Sequence, residues 1–212
     1  MDALPIIVLG AGGHAKVLID ALLLRRADII GVVSPGGTVN HSVCGLPILG
    51  ADHIVDGYAA PSVRLVNGLG SILQPVKRRE IFERFKAKGY AFESVIHPSA
   101  VIARDVELGE GVQIMAGAVI QAGSRIGANS IVNTRAVVDH DCCIGAHVHL
   151  APGVTLCGDV GVEETVHVGS GATVIQGIRI GFDAMVGAGA LVTKDVPARA
   201  VVAGVPAREI KK

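Results

Sequence analysis

From Ile96 to Val192 an Ile, Leu or Val recurs at every sixth position, through Ile102, Leu108, Ile114, Ile120 and Ile126 to Ile180 and Val186. A second, smaller series precedes each member by two residues, as at Ala118, Ser124, Ser130, Ala136, Cys142 and Val148. An α-helix repeats its buried face every 3.6 residues and a strand every two, so a strict period of six belongs to neither alone. It suits a chain running in short flat strands, each placing one aliphatic inward, with three strands closing a triangular coil. The seventeen members of the series, at three to a coil, predict about five to six coils of a parallel β-helix built from hexapeptide repeats. No insertion breaks the register, so no long loop is expected to project from the coil.

The first ninety or so residues follow another pattern. Ile6 to Leu9 reads as a buried strand and Gly10-Ala-Gly-Gly13 as a tight turn. His14 to Leu24 then carries helical spacing at Val17, Leu18, Ala21 and Leu22. Ile29 to Val33 and Val63 to Asn67 read as further strands, the latter ending in Gly68-Leu-Gly70. Arg78 to Lys88 is an amphipathic helix through Ile81, Phe82 and Phe85, stopped by Gly89. Strands alternating with helices predict a small parallel sheet of Rossmann-like α/β type. The expected domains are residues 1–92, holding that sheet, and residues 93–212, holding the β-helix. Asp195-Val-Pro197 is expected to end the coil and leave Val201 to Arg208 as a tail.

Composition agrees with a narrow coil: 50% of the 212 residues are hydrophobic but only 3% are aromatic, and Trp is absent. Stacked Ile, Leu and Val would fill such an interior, each worth roughly 1.5–3 kcal/mol on full burial. A formal net charge of zero gives no electrostatic reason to expect nucleic acid or an anionic membrane as partner. No apolar run approaches the ~18 residues of a membrane span, and Pro5 to Leu9 is too short for a signal-peptide core. Cys44, Cys142, Cys143 and Cys157 form no CxxC pair; Cys142 falls in an inward slot, and a reducing cytoplasm is the expected location.

Three groups of residues carry candidate chemistry. Gly10-Ala-Gly-Gly-His-Ala15, between a strand and a helix, lets backbone amides approach a phosphate, or is simply a tight turn. A dinucleotide site is disfavoured, because the second strand ends in Val32-Val-Ser-Pro35 with no acidic residue for a ribose. In Asp139-His140-Asp141 the histidine lies two residues past the inward Val138, off the core and near a corner. A neighbouring carboxylate stabilises the imidazolium and fixes its tautomer, which suits a general base near neutral pH; an exposed structural histidine is the alternative. His149 and His167 are eighteen residues apart, one full coil, and should stack, with His147 close by. Three clustered histidines also suit zinc, as in a hydratase built on such a coil. Lys194, Arg208, Lys211 and Lys212 near the C-terminus are either solvated or phosphate contacts.

At Gly10-Ala-Gly-Gly-His-Ala-Lys16, Val137-Val-Asp-His-Asp-Cys142 and Gly204-Val-Pro-Ala207, essentially the whole chain resembles bacterial sugar acetyltransferases of the hexapeptide-repeat class. That family covers sialic acid O-acetyltransferases and N-acetyltransferases of nucleotide-linked 4-amino-4,6-dideoxy sugars, including the bacillosamine-pathway type. The resemblance implies a left-handed β-helix, a homotrimer, acetyl-CoA as co-substrate without a metal, and a place in lipopolysaccharide or glycan biosynthesis. It implies His140 as catalytic base, Asp141 as the acid supporting it, and His149, Ser170 and Ala188 as acetyl-CoA contacts. It implies Gly12, Gly13, His14 and Gly68 as the substrate-binding turn and pocket. The chain departs from its relatives at Ser34-Pro35, where they often carry two acidic residues. The implied activity is N-acetylation of such an amino sugar; the alternatives are O-acetylation of a sugar hydroxyl, a zinc hydratase and a non-catalytic scaffold.

Overall fold

Four successive apolar residues, Ile6–Leu9, form β1, and all four are buried, as a strand with neighbours on both faces requires. The computed structural model that shows this describes residues 4–35, 42–71 and 75–210; Lys211 and Lys212 lie outside them. The chain divides into two units, Met1–Pro98 and Ser99–Lys212. The division expected after residue 92 falls six residues before this one, and the first hexapeptide strand, Val95–Ile96, lies in the first unit.

In the first unit β1 is followed by α1 (Gly13–Leu24), β2 (Ile29–Val33), β3 (Ser42–Val43), β4 (Leu46–Gly50), β5 (Arg64–Asn67), α2 (Pro75–Ala87) and β6 (Ala91–Phe92). The sheet order is β3-β4-β2-β1-β5-β6, parallel except for the β3–β4 hairpin. Helix α1 buries Ala15, Leu18, Ile19, Ala21 and Leu22. Val17, which fitted the helical spacing, is 46% exposed, and Ile19 takes its place in the core. Because β2 and β5 lie on opposite sides of β1, the chain order reverses at the carboxyl end of β1. Open α/β sheets receive ligands in the crevice at that switch point. The glycine turn, Ser34 and the Asn67–Gly70 segment all follow strands that end there.

In the second unit two-residue strands recur every six residues from Val101–Ile102 to Leu191–Val192, each paired in parallel with the strand eighteen residues away. Three sheets result, containing Ile131–Val132, Val137–Val138 and Cys143–Ile144 respectively. The coil is a left-handed β-helix. The second residue of each strand points inward, and from Ile114 to Val192 every one is buried. Ile102 and Leu108, at the start of the stack, are only half-buried.

A corner residue with positive φ recurs in the same rhythm, filled by Gly at 117 and 123 and by Asn129, Arg135, Asp141, His147, Asp159 and Thr165. Its amide is donated to the coil below, as from Asp141 to the Ala122 carbonyl at 2.9 Å. This bond fixes the left-handed corner even where no glycine stands there. The coil also continues past Asp195, contrary to the sequence expectation. Val196 bridges Ile180, and Val201–Ala203 pairs with Met185 and Val186 before an antiparallel return at Arg208–Glu209. These pairings span sixteen residues instead of eighteen. The last coil is therefore shortened by two residues, which hides it from a strict hexapeptide count.

Candidate active site

His140 stands at the corner between the second and third sheets, where the chain leaves Val137–Val138 for Cys143–Ile144. Its Nδ1 lies 2.8 Å from Asp141 Oδ2. A carboxylate can only accept, so Nδ1 carries the hydrogen and Nε2 keeps its lone pair for a substrate. Asp139 turns the other way and accepts the backbone amide of His140 at 2.8 Å. The hydrogen bond to Asp141 raises the basicity of the imidazole above the ordinary histidine value, and the charges of Asp139, Asp141 and Asp159 add to it. Against the ring, on the next coil, lies Gly158, where a Cβ would come 2.5 Å from Cε1 and 2.6 Å from Nε2. Only glycine leaves room for the imidazole in that position.

The other singled-out residues of the second unit lie elsewhere on the coil. His149 is buried in the first sheet and stacks edge-to-face on His167, with ring centroids 5.0 Å apart. Asn133 Nδ2 meets its Nε2 at 3.1 Å. An amide nitrogen donates, so His149 Nε2 is the acceptor of this contact. His167 Nδ1 is buried with no hydrogen-bond partner among the described residues, and burial lowers its pKa. His147 Nδ1 is engaged by Asn129 Nδ2 at 2.9 Å. The stacking expected one coil apart is present. Among the described residues, however, no three His, Cys, Asp or Glu side chains converge as zinc ligands would.

Ser170 and Ala188 are exposed at the corner between the first and second sheets, and the Gly189 amide donates to the Ser170 carbonyl at 2.8 Å. The β-helix therefore carries His140 on one edge of the second sheet and Ser170 and Ala188 on the other. Cys142 packs inward and donates its thiol to the Cys157 carbonyl; burial pushes its pKa up to about 11.

In the first unit the expected substrate residues do come together. Gly12 and Gly13 open α1, and a Cβ on Gly70 would sit 3.8 Å from that of His14. Gly68 donates its amide to the Leu9 carbonyl at 2.7 Å. A Cβ there would lie 2.7 Å from that oxygen and 2.9 Å from Ala15, so only glycine lets the loop after β5 approach the turn after β1.

Sequence reasoning missed what holds that loop. Arg78, read only as a helix start, is buried and donates to the carbonyls of Asn67 (2.8 Å) and Leu69. Asn67 returns the contact through Nδ2 to the Arg78 carbonyl at 2.9 Å and accepts the Leu69 amide on Oδ1. Burial pulls the Arg78 pKa down to about 9, which leaves it charged at neutral pH. The Asn-to-Arg spacing of eleven residues has no periodic meaning, so nothing in the sequence marks the pair.

A small parallel sheet with a glycine turn at its switch point, and a hexapeptide coil with a carboxylate-paired corner histidine, define a hexapeptide-repeat transferase of two units. Residues 5–85 match the family of the PglD N-terminal domain. Over 98% of its length the chain is 38% identical, with a TM-score of 0.93, to a histidine-to-asparagine mutant of perosamine N-acetyltransferase from Caulobacter crescentus, 97% of which is covered. That structure is in complex with CoA and GDP-perosamine. The acetyltransferase domain of PglB from Neisseria gonorrhoeae FA1090, in complex with acetyl coenzyme A, is 33% identical over 99% of this chain and all of that one, with a TM-score of 0.92. WeeI from Acinetobacter baumannii AYE is 27% identical over 98% of this chain and 100% of its own, with a TM-score of 0.88. The chain belongs to the bacterial sugar acetyltransferases of the hexapeptide-repeat class.

Proposed function

We propose that this acetyltransferase moves the acetyl group of acetyl-CoA onto the amine of a nucleotide-linked 4-amino-4,6-dideoxy sugar, with His140 as general base. The observation that carries the reading is the Nδ1 contact with Asp141, which leaves an exposed, basic Nε2 at a corner. An amine must be neutral to attack a thioester. His140 Nε2 takes its proton, directly or through a water, and Asp141 stabilises the imidazolium. A backbone amide opposite would stabilise the tetrahedral oxyanion. The thiolate leaves without a strong acid, and much of the rate comes from holding both substrates in one cleft.

The acetyl donor and a nucleotide-linked amino sugar are the ligands bound by the relatives. The glycine turn at the sheet's switch point, with Gly12, Gly13, His14 and Gly68, is the proposed seat of the sugar nucleotide. His149, Ser170 and Ala188 are the proposed acetyl-CoA contacts. Because Ser170 and Ala188 lie across the second sheet from His140, a neighbouring copy would bring the missing edge to each site. Between those edges the second sheet presents Val101, Val119, Val137, Thr155, Thr173 and Leu191 outward, a mostly apolar stripe suited to such a contact. These features support a homotrimer with residues 93–212 as its assembling domain and residues 1–92 as the nucleotide-sugar domain. No described helix is long and apolar enough to cross a membrane. All four cysteines are free, in keeping with a cytoplasmic location.

Purified protein should be assayed with acetyl-CoA against GDP-, UDP- and dTDP-linked 4-amino sugars and their hydroxyl counterparts. Turnover of an amino sugar and not of its hydroxyl analogue is the expected result. Preference for the hydroxyl would replace this reading with O-acetylation.

A further inference from the structure

We propose that Arg179, lying across Gly161 and gripping Asp159, is a positioning residue that neutralises the third carboxylate beside His140. Arg179 sits in the third sheet, one coil above Gly161 and two above Cys143. Its side chain is exposed, and its guanidinium is turned back onto the coil. Nη1 donates to the Asp159 carbonyl and Nη2 meets Asp159 Oδ1 at 3.1 Å. To reach it the side chain crosses the face of Gly161, where a Cβ would stand 2.6 Å from Arg179 Cδ and 3.1 Å from Nη1. Gly161 occupies an extended strand position and has no need of glycine's backbone freedom. What it provides is clearance. The outward column of that sheet reads Glu107, Arg125, Cys143, Gly161, Arg179, and its one missing side chain lies under the arginine.

Asp159 belongs to the histidine's surroundings. Its amide donates to the His140 carbonyl at 2.9 Å, and the preceding residue, Gly158, leaves the space the imidazole occupies. The charged groups around His140 are Asp139 and Asp141 on its own coil and the Asp159–Arg179 pair above. Below are Asp105, whose carboxylate takes the Gly123 amide at 3.0 Å, and Arg125, which lines the same cavity as Asp141, Asp159 and Arg179. Asp139 is occupied by a backbone amide and Asp141 by Nδ1. Asp159 is the one of the three paired with a permanently charged guanidinium. A base too strongly surrounded by carboxylates stays protonated and accepts nothing. The pair limits that excess, and with its carboxylate engaged by Arg179 leaves Nε2 open.

This inference rests on His140 acting as the base, so its test reads the ring and the reaction separately. In R179Q, titration of the His140 imidazole followed by NMR should move to higher pH, and the acid limb of kcat/KM should move with it. On that limb kcat/KM should fall about twofold, the size one solvent-screened charge produces, and the effect should shrink at high salt. G161V, a residue well suited to a strand, displaces Arg179 without altering any charge and should reproduce the shift. D159N in the R179Q background should return both titrations toward wild type. A ring titration unmoved in R179Q and in G161V overturns the proposal. A ring that shifts while the rate profile does not would uphold the role of Arg179 and overturn His140 as the base.

Discussion

Replacing Arg78 by methionine tests how the loop after β5 is held. Methionine keeps most of the buried stem and removes the guanidinium, so the carbonyls of Asn67 and Leu69 lose a charged donor in a place water does not reach. A hydrogen bond from a charged group is worth about 1.5–3 kcal/mol. Replacing a buried ion by an apolar residue can be neutral when its partners leave too. Here the partners are main-chain carbonyls and stay behind. The expected loss is about 3–5 kcal/mol, a large part of the 5–15 kcal/mol typical of a folded domain. The chain has no Trp and its two tyrosines, Tyr58 and Tyr90, both lie in the first unit. Tyrosine fluorescence in urea therefore reports on the unit that carries the change. With a slope of about 1–3 kcal/mol per molar, the midpoint should fall by about 1–5 M. Among molecules still folded, KM for the nucleotide sugar should rise while KM for acetyl-CoA holds. Arg78→Lys should recover part of both, since an ammonium lacks the planar fork. An unchanged midpoint with unchanged KM would refute the idea that this clamp positions the loop.

His140→Ala should cost roughly 10²–10⁴-fold in kcat with the assembly intact by light scattering; near-normal turnover would remove it from the mechanism. Asp141 is the main cause of the raised His140 pKa, so Asp141→Asn should move the acid limb of kcat/KM to lower pH while reducing kcat, as a pH–rate series would read. Val119→Arg places a charge in the stripe proposed to join copies and should yield smaller particles and lost activity together. Burial lowers the His167 pKa. Below the ordinary value near 6.5 the unfolded chain then binds the proton first, so stability falls as pH drops through that value toward the folded pKa. His167→Leu should flatten this acid-side loss in urea titrations from pH 7.5 to 5.

The hexapeptide coil was legible because its buried positions are set by local geometry. Each inward aliphatic packs on residues eighteen away, so the fold is written as a period and Ile114 to Val192 could be assigned from spacing alone. Asp139-His140-Asp141 was legible for a similar reason, as neighbours in sequence are neighbours at a corner. The shortened last coil was not, because removing two residues breaks the period while preserving the pairing of Val201–Ala203. Val17 and Ile19 exchanged places for want of any knowledge of which side of α1 meets the sheet.

What tertiary structure decided are the contacts between residues with no repeating separation. Arg78 reaches back eleven residues to Asn67, Gly68 meets Leu9 across the sheet, and Arg179 crosses a missing side chain to Asp159 twenty residues earlier. A linear pattern records what is buried at a regular interval. Which donor finds which acceptor across that interval depends on side-chain length, clearance and direction, and those exist only once the chain is folded.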